Sequence, residues 1–81
     1  AVGDANPELI ERLKAVRKKI ADEHGIPAYL VFSDKTLKDM AVKNPATAGE
    51  FRLVHGVGEV KADGYGPAFL RALKEWRESA G

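Results

Sequence analysis

The chain contains no cysteine. That excludes a disulfide framework, a thiolate metal site and a thiol nucleophile, and it suits a reducing compartment. Histidine is scarce: His24 and His55 stand far apart, with no His-x-x-His pairing, so metal-ligand spacing is absent too. No apolar run approaches the roughly 18 residues that a bilayer crossing needs, and no signal-peptide pattern appears. A cytoplasmic domain is therefore expected. An excess of either charge is also lacking, since 13 Lys and Arg face 12 Asp and Glu for a net +1. Domains that live by gripping duplex DNA are usually far more basic. Any nucleic-acid contact must come from local clustering and be weak. No carboxylate pair is presented with a base, nucleophile or phosphate cradle. The Gly56-x-Gly58 pair lacks the third glycine and the preceding strand of a nucleotide fingerprint. No catalytic residues, metal or cofactor are expected.

Eighty-one residues suffice for one domain with a small core. Residues 1–6 are small and polar and read as linker or expression remnant. Residues 7–81 read as the domain, a monomeric module cut from a longer protein. A first helix is predicted from Pro7, with Asn6 as its cap. Leu9, Leu13, Val16 and Ile20 recur at helical spacing and give it one apolar face. Lys14, Arg17 and Lys18 share a flank of that helix. A helix from Asp34 or Lys35 to about Lys43 buries Leu37, Met40 and Ala41 and is ended by Asn44-Pro45. Thr47-x-x-Glu50 is a capping-box pattern opening a short helix that buries Phe51 and Val54. The last helix starts near Glu59 with Ala62, Tyr65, Phe69, Leu73 and Trp76 as its buried stripe. Gly64, Gly66 and Pro67 predict a bend there. The sum is an all-α bundle of four to five helices.

Two stretches carry more than packing. Gly25 to Met40, GIPAYLVFSDKTLKDM, begins with a glycine suited to stop a helix and ends in a capped amphipathic pattern. Between them, Tyr29-Leu30-Val31-Phe32 reads as a short buried crossing segment of about one helical turn. A strand is the alternative, weakened because no second strand-like run exists to pair with it. Tyr29 itself reads two ways. It is a core aromatic beside Leu30 and Phe32, or an exposed ring next to the basic flank, which is what single-stranded DNA binding requires. The second stretch, Leu53 to Ala62, is similar to a helix-hairpin-helix element. Gly56 and Gly58 let backbone approach a phosphate, and Lys61 adds a charge. It also reads as a packing turn with Val57 plugging the core, and Glu59 sets a negative charge at the same mouth.

Pro27, Tyr29, Phe32, Ser33-Asp34, Leu37 and Met40 spell P-x-Y-x-x-F-S-D-x-x-L-x-x-M. This resembles the HRDC domain, the helicase-and-RNase-D C-terminal domain, in the form found in RecQ-type DNA helicases. The L-V-x-G-V-G and Y-G-x-x-F-L runs fit as well, and the resemblance spans about Pro7 to Trp76. RNase D carries a related domain, but the Y-x-x-F-S-D run is more like the helicase form. The resemblance implies a non-catalytic, DNA-associated accessory domain that weakly binds single-stranded or junction DNA and tunes substrate choice in repair and recombination. It also implies a DNA-binding role for Tyr29. The alternative is an interaction module that docks on other domains of the parent helicase.

Overall fold

The computed structural model describes residues 6–80, in five α-helices: α1 Pro7–His24, α2 Ala28–Val31, α3 Asp34–Lys43, α4 Ala48–Phe51 and α5 Glu59–Ala80. No strand occurs among the described residues, in keeping with the predicted all-α bundle. Tyr29 to Val31 lie in one helical turn after the extended Pro27, so the strand alternative falls. Of the segment read as linker, residues 1–5 lie outside the described residues.

The helix ends are set by local chemistry. The Asn6 side chain accepts from the backbone N–H groups of Glu8 and Leu9 at 2.8 and 3.4 Å, satisfying donors that have no partner inside α1. Gly25, at φ 64°, closes the other end in a Schellman motif, with Ile26 N–H donating to Ala21 O at 3.0 Å and Gly25 N–H to Asp22 O at 3.3 Å. Ser33 Oγ caps α3 by accepting from Thr36 N–H at 3.2 Å. Asn44, left-handed at φ 46°, ends it. At α4, Thr47 Oγ1 accepts from Glu50 N–H, while the Glu50 carboxylate reaches back to Ala46 N–H at 2.8 Å, one residue before the cap.

Two long helices, α1 and α5, pack against each other; α2 and α3 pack on α1, and α4 packs on α5. Phe32 sits at their junction, with its ring edge-to-face on Phe69, Tyr65 and Phe51 at centroid distances of 5.3, 6.0 and 6.1 Å. Leu13, Val31, Leu37, Met40, Phe51, Phe69 and Leu73 complete the fully buried centre. The one buried polar side chain, Thr36, keeps its hydroxyl 3.1 Å from Ser33 Oγ.

Two expectations on burial need correction, and α5 continues as one helix through Gly64, Gly66 and Pro67, the site of the expected bend. Pro67 removes only the hydrogen bond to the Asp63 carbonyl, and burial of Ala62, Phe69, Ala72 and Leu73 on either side offsets that loss. Val16, Tyr65 and Trp76 are half-buried and pack at the rim of the core. The crossing segment is only half inside: Val31 and Phe32 point inward, while Tyr29 and Leu30 are exposed. A helix of just over one turn cannot bury all its faces against one neighbour.

Candidate functional site

The corner where α1, α2 and α3 meet is built around Arg17. The residue comes from the middle of α1, and its side chain is only 13% exposed. Its Nη1 donates to Phe32 O at 3.1 Å and to the Asp34 carboxylate at 2.7 Å. One guanidinium thus ties α1 both to the backbone leaving α2 and to the first residue of α3. Its Nε is buried without a partner among the described residues. The bond from Arg17, and its charge, hold the Asp34 carboxyl below its ordinary range, with Lys14 and Lys38 lowering it further.

This frame presents Tyr29. Its ring is 68% exposed on a helix fixed at both ends, by Ile26-Pro27 before it and the Arg17 tie after it. The core reading of Tyr29 therefore fails, because the neighbouring Val31 and Phe32 take the inward positions. Of the predicted basic flank, Lys14 lies half-buried 3.9 Å from Glu11, and the exposed Lys18 pairs with Asp22 at 3.2 Å. Both are one-turn surface pairs on α1, which contribute little and open readily. Arg17 differs, being engaged in the fold. Lys38, exposed on α3, joins the group from outside the predicted set. Its spacing of four from Asp34 was the available signal, but only the packing of α3 on α1 brings Lys14 to the same carboxylate.

The second predicted contact lies where the loop after α4 meets α3. The first arm of the hairpin is a single turn, α4, followed by turns to Gly56; the second arm is the long α5. Gly56 is left-handed at φ 84°, and a Cβ there would collide with Thr36 Oγ1. This glycine is needed so the loop can lie on α3. Gly58 is exposed with open space around it, and its carbonyl accepts from Ala62 N–H at 2.8 Å as α5 begins. Lys61 Nζ lies 5.9 Å from the centre of the Phe32 ring, at the outer reach of a cation–π contact. The loop is pinned by Asp39 of α3, which accepts from His55 N–H at 2.7 Å and from Lys43 Nζ at 2.8 Å; Lys43 also donates to Leu53 O at 3.0 Å. The bond from His55, then that from Lys43, keep the Asp39 carboxyl below its ordinary value. Leu53 on this loop and Val60 in the first turn of α5 are 74% and 86% exposed. Among the described residues no cluster of metal-ligating side chains occurs, and no helix is long and apolar enough to cross a membrane.

The HRDC domain model matches residues 6–73, and the chain belongs to the HRDC domain family. It is 48% identical over 71 residues to the ATP-dependent DNA helicase RecQ of Bacillus subtilis, covering 88% of this chain and 12% of that protein. It is 34% identical over 71 residues to the ATP-dependent DNA helicase UvrD2 of Mycobacterium tuberculosis, covering 88% of this chain and 10% of that one. Among solved structures it matches D. radiodurans RecQ HRDC domain 3 with a TM-score of 0.80 and 34% identity, over 83% of this chain and 88% of the other. The chain thus corresponds to an accessory domain of helicases, not to their catalytic part.

Proposed function

We propose that this domain binds single-stranded or junction DNA weakly, as an accessory part of a RecQ-type helicase, and so tunes substrate choice in repair and recombination. Tyr29 stacks on a base; Lys14 and Lys18 neutralise phosphates on its α1 side, with Arg17 behind them. Gly56, Gly58 and Lys61 offer a second, backbone-directed contact. The observation that carries this reading is the exposure of Tyr29 on a helix that is itself rigidly tied. An aromatic face held still beside cations is the common means of holding single strands without reading their sequence. The near-neutral net charge fits a weak grip that releases easily.

Titration of the chain with a fluorescein-labelled oligothymidine at several salt concentrations tests it. Tyr29→Ala should cost about 1–3 kcal/mol of binding. Contacts from Lys14 and Lys18 give a slope of log K on log salt of roughly −1.4, and a full contribution from Arg17 brings it to roughly −2. Lys18→Glu should weaken binding to all sequences alike. Binding that is indifferent to both Tyr29 and salt rejects the reading.

A second reading has its own observation. Leu53 projects from a pinned loop and Val60 from the start of α5, and large exposed apolar side chains on a rigid segment suit a protein partner. That partner is another domain of the parent helicase, since the chain spans 12% of the RecQ relative's length. Loss of regulation in the parent on Leu53→Ser with Val60→Ser, at unchanged DNA affinity, would favour this reading.

A further inference from the structure

The cationic corner carries an acid at its centre. Asp34 is 64% exposed, yet it lies 2.7 Å from Arg17 Nη1 and is flanked by Lys14 from α1 and Lys38 from α3. A merely structural tie would need no such exposure, because Arg17 already holds α1 to the end of α2 through Phe32 O. The carboxylate occupies the position at the guanidinium that a phosphate oxygen would take, and it lies among three cations at the α1–α3 corner. Carboxylate and phosphate are alternative acceptors for the same donor.

We propose that Asp34 is a built-in attenuator of nucleic-acid affinity: its carboxylate, seated on Arg17 between Lys14 and Lys38, masks the cationic edge beside Tyr29 and keeps the hold on a single strand weak. This rests on the DNA-binding reading above and adds to it the residue that sets the strength of the grip. Asp34 acts through Arg17 and the two lysines and need not touch DNA. The mixed charge noted in the sequence is then organised: the strongest cation of the flank is quenched by an acid from another helix, while Lys14 and Lys18 keep only weak partners on their own helix. An accessory domain of a translocating enzyme gains from such a limit, since a strand held tightly at one point must be released at every step.

The test is the oligothymidine titration across salt with Asp34→Asn, Asp34→Glu and Lys14→Glu beside the unaltered chain, with helical content and melting recorded for each. Asp34→Asn should tighten binding about three- to tenfold, and should steepen the salt slope by roughly 0.7 as Arg17 gains a phosphate. Asp34→Glu, which keeps the charge, should stay near the unaltered chain. A purely structural role would lower the melting temperature without steepening the slope. If Asp34→Asn does not fold, Asp34→Ser, which preserves a residue favoured at helix starts, takes its place. Unchanged or weakened binding by folded Asp34→Asn, while Lys14→Glu still weakens it, overturns the attenuator and leaves the DNA reading standing. Absence of binding by every chain, at the lowest salt, overturns the DNA reading and the attenuator with it.

Discussion

The Arg17 corner and the Asp39 corner are the same device with opposite results. In each, one charged side chain reaches from a helix to a backbone group on a neighbouring loop and to a countercharge: Arg17 to Phe32 O and Asp34, Asp39 to His55 N–H and Lys43. The anchoring ion in the first is a cation, and what the corner presents is the exposed aromatic ring of Tyr29, with Lys14 and Lys38 around Asp34. The anchoring ion in the second is an anion, and what it presents is aliphatic, Leu53 and Val60, at a helix start that carries Glu59. Rigidity is therefore common to both corners and distinguishes nothing. Their chemistry is set by the side chains that the anchoring leaves outside, so the two are suited to different partners.

The largest expected effect falls on the core beneath the corners. Phe32→Ala should cost about 3–5 kcal/mol in chemical denaturation, because the ring is buried at the meeting point of Phe51, Tyr65 and Phe69. A smaller loss would mean that the corners are less dependent on one core than their geometry implies. Gly56→Ala comes next, at roughly 2 kcal/mol or more, since it combines a left-handed backbone with a collision against Thr36. It should loosen the Asp39 corner and remove the second, backbone-directed contact to DNA, leaving only the contribution of Tyr29 and its flank.

Asp39→Ala should cost about 1–2 kcal/mol by removing a charged acceptor from His55 N–H and Lys43. The sign of its pH dependence follows from its lowered pKa. The stabilisation is fully present above the ordinary carboxylate range and is lost as pH falls through the lowered folded value. An acid titration of stability should be shallower in Asp39→Ala than in the unaltered chain at that end; parallel curves would show that the anchor is not ionic. The smallest effects belong to the exposed side chains. Tyr29→Ala and Val60→Ser should each change stability by less than about 0.5 kcal/mol, and only the first should change oligothymidine binding. Loss of DNA affinity on Val60→Ser would erase the distinction between the corners.

What was legible in the sequence was whatever depends on neighbours in the chain. The caps at Asn6, Ser33 and Thr47, the stops at Gly25 and Asn44, the apolar stripe of α1 and the motif of Pro27 to Met40 are all local, and each lies where spacing and residue type placed it. At Pro67 local propensity favours a break, and there α5 continues as one helix because burial on either side outweighs it.

Everything that required two distant segments was decided by the tertiary structure. The sequence offered Tyr29 two fates, and packing chose exposure because Val31 and Phe32 fill the space below α2. Arg17 belonged to a surface flank by periodicity, but a carbonyl and a carboxylate fifteen and seventeen residues further on draw it into the fold. Asp39 and His55, sixteen residues apart, meet only because α3 supports the hairpin. Helical spacing reports which side chains share a face. It carries no information on what another helix brings to that face, and for an ion that meeting sets whether its charge is spent within the fold or offered to a ligand.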